Sequence, residues 1–157
     1  MVYTGIMPVA RNESGLAVVM GHEIAHVFAR HGAERMSQGL LVQMGGMAVS
    51  EAIKNKPEAT KSLFMTSYGL GTQIAVLLPY SRLHESEADH LGLIFVAMAG
   101  YDPHEAVGFW QRMAEQAKGQ GKPPEILSTH PADATRIQSI QNLLSEAMEF
   151  YKPQKAG

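Results

Sequence analysis

The sequence predicts a mainly α domain with little strand. Three observations carry this expectation. Apolar residues recur at helical spacing, N-cap and stop residues fall at the ends of those segments, and neither a repeat nor a low-complexity tract interrupts them. With 157 residues, 45% of them apolar and 18% charged, the chain is long enough for one domain with a modest core. The expected division is a single domain over residues 1–150 and a frayed tail over 151–157.

The elements follow in order. VYTGI reads as a short strand. The first helix starts near Asn12 or Ser14, with Asn12 as N-cap, and runs to about Ser37. Within it, Gly21 leaves room for a neighbouring helix. A second helix covers 39–54 and closes at Asn55 to Pro57, and a third covers about 59–77. Pro79 then forces a boundary, so a fourth helix is expected from Ser81 or Arg82 to Ala99, with Gly100 as its cap. Asp102 and Pro103 form a helix start, and Val107, Trp110, Met113 and Ala114 follow at helical spacing. Gly119 to Ile126 reads as a loop, and Pro131 to about Phe150 as a sixth helix. Because a lone strand needs a partner, VYTGI suggests a fragment that lacks its N-terminal part.

Composition narrows the function. A net charge of −2 gives no electrostatic case for nucleic acid or an anionic membrane surface. Cysteine is absent, which excludes disulfides and thiolate metal sites. No signal-peptide pattern opens the chain. Residues 62–81 are uncharged but contain Ser62, Thr66, Ser67, Thr72 and Gln73, so a buried helix is expected there rather than a bilayer span, with contact to a membrane surface left open.

The chemistry concentrates in HEIAH. His22 and His26 sit one helical turn apart on one face, close enough to grip one metal ion. Glu23 beside them can take a proton from metal-bound water, the arrangement of a zinc-dependent peptidase. A catalytic zinc needs a third protein ligand. The segment HESEADH offers Glu85 as that ligand, with Asp89 four residues on, on the same face, to orient a histidine ring. Glu87 points elsewhere. His84 and His90 read as surface residues or neighbours of the site, and His31 as a histidine at a helix C-terminus. In LSTHPADATRI, Pro131 and Asp133 suit a plain helix start. His130 and Arg136 have a second reading, in which one or both reach the metal cleft and stabilise an oxyanion.

Taken with VYTGI, ESGLAVVMGHEIAHVFARHGAERMS, LPYSRLHESEADHLGLIFVAMAGYDPHEAVGFWQRM and STHPADATRI, the chain resembles the M48 family of zinc metallopeptidases. Its nearest likeness there is to the bacterial members related to the OMA1-type and beta-barrel-assembly-enhancing proteases. The resemblance implies a zincin-like fold, α+β in the full family domain, with the HExxH helix packed against a second ligand-bearing helix. It implies one zinc per chain on His22, His26 and Glu85, with Asp89 as orienter and Glu23 as base. It also places His130 and Arg136 near the site. Family domains carry more chain before VYTGI. The implied activity is cleavage of internal peptide bonds in extended protein substrates, misfolded or unassembled envelope proteins among them. The implied location is the bacterial envelope, periplasmic or membrane-associated through the missing N-terminal part.

Two rivals stand beside this reading. One is a zinc-binding chaperone or assembly factor with little or no turnover, which His130 as a fourth ligand would favour by closing the site. The other is a helical interaction module whose histidines and acids decorate its surface.

Overall fold

The computed structural model describes residues 4–119, 130 and 134–153. Of these, 85% are helical, and no strand occurs among the described residues. Thr4–Ile6 is a 3-10 turn. The helices are α1 (Met7–Ala10), α2 (Glu13–Phe28), α3 (His31–Ala52), α4 (Glu58–Thr72), α5 (Leu78–Met98), α6 (Glu105–Gly119) and α7 (Ala134–Glu149). A π-helical turn, Gln73–Leu77, joins α4 to α5.

The strand expected at VYTGI is therefore corrected over residues 4–6. That stretch coils into α1, whose Pro8 suits a first helical turn. Residues 2 and 3, the expected loop from 120 to 126, and the helix start at Pro131 and Asp133 lie outside the described residues.

The chain forms two compact units, Met1–Ala29 with Glu85–Gly157, and Arg30–His84. The first holds a hydrophobic core in which Val9, Val19, Phe109, Trp110, Met113 and Ile140 meet. Helix α6 supplies much of it because Phe109, Trp110 and Met113 share one face. Arg112 fastens that helix to α1 by donating from Nε to the Val9 carbonyl at 2.8 Å.

Local capping explains most boundaries. Asn12 Oδ1 accepts from the Gly15 amide at 2.8 Å and starts α2. Helix α5 ends in a Schellman turn: Gly100 takes φ 84°, its N–H reaches the Ala97 carbonyl, and the Tyr101 N–H reaches Val96. Asp102 caps α6 as expected, its Oδ1 accepting from the His104 amide at 2.9 Å, although regular helix begins only at Glu105.

Two boundaries differ from expectation. The first helix stops at Phe28, because Arg30 adopts a left-handed conformation (φ 59°), and a new helix begins at His31. His31 thus opens a helix instead of closing one, and it is buried. At the other, the break expected before Ser81 falls at Leu78, where the π turn ends and Pro79 enters α5. The Leu78 amide bonds to the Gln73 carbonyl, and this wider turn leads the chain into the residue that cannot donate.

The second unit is a hairpin of α3 and α4. Tyr68 donates to the Val42 carbonyl at 2.7 Å and packs on Gly45 and Gly46. The burial expected for residues 62–81 does not hold, since α4 has no buried residue.

Candidate metal centre

Helix α2 approaches α5 closely because both carry glycine at the contact. A Cβ on Gly21 would lie 2.8 Å from the Gly92 carbonyl oxygen, and one on Gly92 would lie 3.0 Å from the His22 nitrogen. This contact brings the HEIAH turn against the helix carrying Glu85 and Asp89.

Four side chains converge there. Ligand atoms of His22, His26, Glu85 and His130 all lie within 4.8 Å of one another. His22 Nε2 is 3.1 Å from His26 Nε2 and 3.2 Å from His130 Nδ1. It is 3.4 Å from Glu85 Oε2, and His26 Nε2 is 3.3 Å from Glu85 Oε1. A tetrahedron of ligands at zinc–nitrogen and zinc–oxygen bond lengths has edges of about 3.3 Å. The donor set, imidazole nitrogens and one carboxylate without sulfur, suits a divalent metal of the zinc type.

Electrostatics agree. Burial works against the Glu85 carboxylate, yet the His130, His22 and His26 rings overcome it and hold its pKa well below the usual carboxylate range. Burial also works against a charged His22, but the Asp89 and Glu85 carboxylates raise its pKa above the ordinary value. His26 is lowered, chiefly by burial, which Glu85 only partly offsets. An ionised carboxylate among crowded imidazoles is a site arranged for a cation.

The support around the ligands is built from Asp89, Arg136 and Trp110. Asp89 Oδ1 sits 3.1 Å from His22 Nδ1, although that nitrogen makes no well-aligned hydrogen bond. Arg136 donates from Nε to Asp89 Oδ2 at 2.8 Å and from Nη2 to Oδ1 at 2.7 Å. Its Nη1 is 3.1 Å from Glu85 Oε2. Its guanidinium lies 3.5 Å from the Trp110 ring centroid, and that ring meets His22 edge-on at 5.7 Å.

His22, His26, Glu23, Glu85, Asp89, His130 and Arg136 thus gather in one place. Glu23 stands at the rim, half-exposed, with Oε1 3.5 Å from His130 Nε2. Glu87 is exposed away from the ligands. His84 does not reach the centre. It is buried in the hairpin, where its ring stacks on His31 at 4.3 Å and its Nε2 is 2.8 Å from Glu34. His90 pairs with Glu146 at 3.0 Å. Sequence reasoning placed Trp110 only at helical spacing with Val107, Met113 and Ala114, and that spacing carried no sign of its contact with His22 and Arg136.

Helices that set an HExxH turn against a glutamate-bearing neighbour define the zincin-like metallopeptidase class. The family model for peptidase family M48 matches residues 1–144, and the chain belongs to that family. It is 38% identical over 147 residues to the mitochondrial metalloendopeptidase OMA1 of Schizosaccharomyces pombe, covering 93% of this chain and 41% of that protein. It is 31% identical to the Saccharomyces cerevisiae protein of the same name, covering 96% and 42%. With the beta-barrel assembly-enhancing protease of Escherichia coli K12 it shares 30% identity, over 90% of this chain and 30% of that one. The chain therefore spans less than half the length of these relatives. No solved structure matches it.

Proposed function

We propose that residues 1–150 form the catalytic domain of a zinc metalloendopeptidase, with one zinc held by His22, His26 and Glu85. The observation that carries this reading is the convergence of those donors, with the half-exposed carboxylate of Glu23 at the rim, 3.5 Å from His130 Nε2. Bound zinc would supply Lewis acidity, polarising a scissile carbonyl and making water a stronger acid. The remaining work falls to the chain. Glu23 takes the proton of the attacking water and returns it to the leaving amine. Asp89 fixes the His22 ring, and Arg136 fixes Asp89.

The substrates we infer are extended segments of misfolded or unassembled envelope proteins, and the location is the cell envelope or its membrane surface. Support comes from the names of the relatives, which are mitochondrial metalloendopeptidases and a beta-barrel assembly-enhancing protease.

A second reading is favoured by one observation. His130 Nδ1 lies 2.8 Å from Glu85 Oε2 and 3.2 Å from His22 Nε2, among the ligand atoms. In this reading His130 is a fourth ligand and the site is closed, so the chain binds metal with little turnover until His130 leaves.

The test compares wild type with Glu23→Gln on an unfolded protein substrate, with zinc content measured in both. Retained zinc with lost cleavage is expected. Equal cleavage by the two proteins defeats the role of Glu23, and absence of zinc from wild type purified without chelator defeats the metallopeptidase reading.

A further inference from the structure

The α3–α4 hairpin, Arg30–His84, exposes much of its apolar surface. Leu41 is 68% and Leu63 66% exposed, and Leu40, Met44, Phe64 and Leu70 are exposed with them. Surfaces of this kind mark a binding face. Two uncharged runs, 36–50 on α3 and 62–81 on α4 and its continuation, make up most of the hairpin.

Charge lies only beyond those runs. Lys56 stands where the two helices join, with Lys54 and Lys61 in exposed pairs with Glu51 and Glu58 beside it, and Arg30, Arg35 and Arg82 stand at the opposite end. The acidic residues between Arg30 and His84 are Glu34, Glu51 and Glu58, so the hairpin is net basic within a chain of net charge −2. The whole-chain charge conceals this segregation.

Several hydroxyls in or beside the runs are satisfied internally. Ser37 Oγ donates to the Ala33 carbonyl at 3.0 Å, Thr72 Oγ1 to Tyr68 at 2.9 Å, and the Tyr68 hydroxyl to Val42 at 2.7 Å. A hydroxyl bonded in this way needs no water partner. No described helix is long and apolar enough to cross a membrane. The run on α3 is about 22 Å long, short of the roughly 30 Å of a bilayer core.

We propose that the hairpin lies side-on in the surface of an anionic bilayer. Its apolar middle enters the acyl boundary, and the cations at both ends meet lipid phosphates. This docking does not depend on the metal or on peptidase activity, so either reading can fail without the other.

The test is flotation of the 157-residue chain with vesicles of phosphatidylcholine, with and without phosphatidylglycerol, at low and raised salt. Wild type is expected to float with the anionic vesicles and to release as salt rises. Leu41→Glu combined with Leu63→Glu should weaken binding by roughly tenfold or more. Lys54→Gln, Lys56→Gln and Lys61→Gln together should remove the preference for phosphatidylglycerol. Circular dichroism and thermal melts confirm that each variant is folded. Three results would overturn the proposal: wild type that stays with the unbound fraction, glutamate variants that float as well as wild type, or lysine variants that keep the anionic preference. Self-association that the same glutamates abolish, without lipid binding, would assign the surface to a second copy instead.

Discussion

Arg136 grips Asp89 by both carboxylate oxygens, at 2.8 and 2.7 Å, and both side chains are buried. A guanidinium held in this way has little freedom to follow a substrate. The sequence offers Arg136 as a group for an oxyanion; from its hold on Asp89 we propose instead a positioning residue that acts through Asp89 on His22. Removing one member leaves a buried charge without its partner, which costs about 3–5 kcal/mol. Arg136→Met should therefore destabilise the fold by that order, and Arg136→Met with Asp89→Asn should cost less than the sum of the two singles. Urea unfolding of the four proteins measures the coupling, and additive losses would show that the pair does not act as a unit.

Trp110 is the single tryptophan of the chain, so its emission reports on one place, the junction of His22 and Arg136. Zinc titration should change that emission and a chelator should reverse the change. Trp110→Leu removes the ring face under Arg136 and should lower zinc affinity by roughly tenfold, as loss of support behind a metal ligand does. Trp110→Phe should recover part of the loss. Unchanged affinity in the leucine variant would return Trp110 to a core role only.

The pairs that make up the candidate site were legible in the sequence because helical spacing fixes which residues share a face. His22 with His26, and Glu85 with Asp89, needed only the α-helix to become pairs. Partners contributed by different helices were less legible. The reach of Arg136 to Asp89 depends on how α7 packs on the rest of its unit, and nothing in ATRIQ states that distance. The stop at Arg30 was also hidden, since arginine is not a residue that favours left-handed backbone. Residues 62–81 misled for a different reason. Absence of charge does not say that a stretch is covered by protein, and here none of its residues is buried.

Gly92→Ala tests the helix approach that brings the two pairs together. The new Cβ would lie 3.0 Å from the His22 nitrogen and 3.1 Å from its Cα, backbone atoms that cannot turn aside as a side chain can. Overpacking of this kind costs about 1–3 kcal/mol. Zinc affinity should fall together with stability, because the displaced helix carries the ligands. A variant with native stability and native zinc affinity would show that the crossing has slack.

Asp102 gives a pH dependence remote from the metal. Burial would raise its pKa, but the His104 amide and ring outweigh burial and lower it. A depressed folded pKa stabilises the protein above the unfolded value of about 3.9, and that stabilisation is lost as pH falls through the folded pKa. Asp102→Asn keeps the cap and removes the charge. The side chain is 54% exposed, so screening keeps the difference small, about 0.5 kcal/mol at neutral pH. Thermal melts should show the gap between wild type and Asp102→Asn closing as pH drops below about 4. A gap that widens on acidification would give the shift the wrong sign.

His130 separates an open site from a closed one. Its Nδ1 stands among the ligand atoms, while its Nε2 lies 3.5 Å from Glu23 Oε1. As a fourth ligand it would fill the position a catalytic metal keeps for water. His130→Ala should then lower zinc affinity and raise the cleavage rate, because the open position returns. As an oxyanion donor it would behave in the opposite way, with zinc affinity unchanged and kcat falling by about 10²–10³-fold at constant KM. Zinc affinity by chelator competition and steady-state cleavage, measured on the same variant, give two numbers whose signs differ between the two roles. The donor role is the expected result, because zinc on His22, His26 and Glu85 keeps its open position for water, and His130 Nδ1 at 2.8 Å from the ionised Glu85 carboxylate is placed as a hydrogen-bond donor to it.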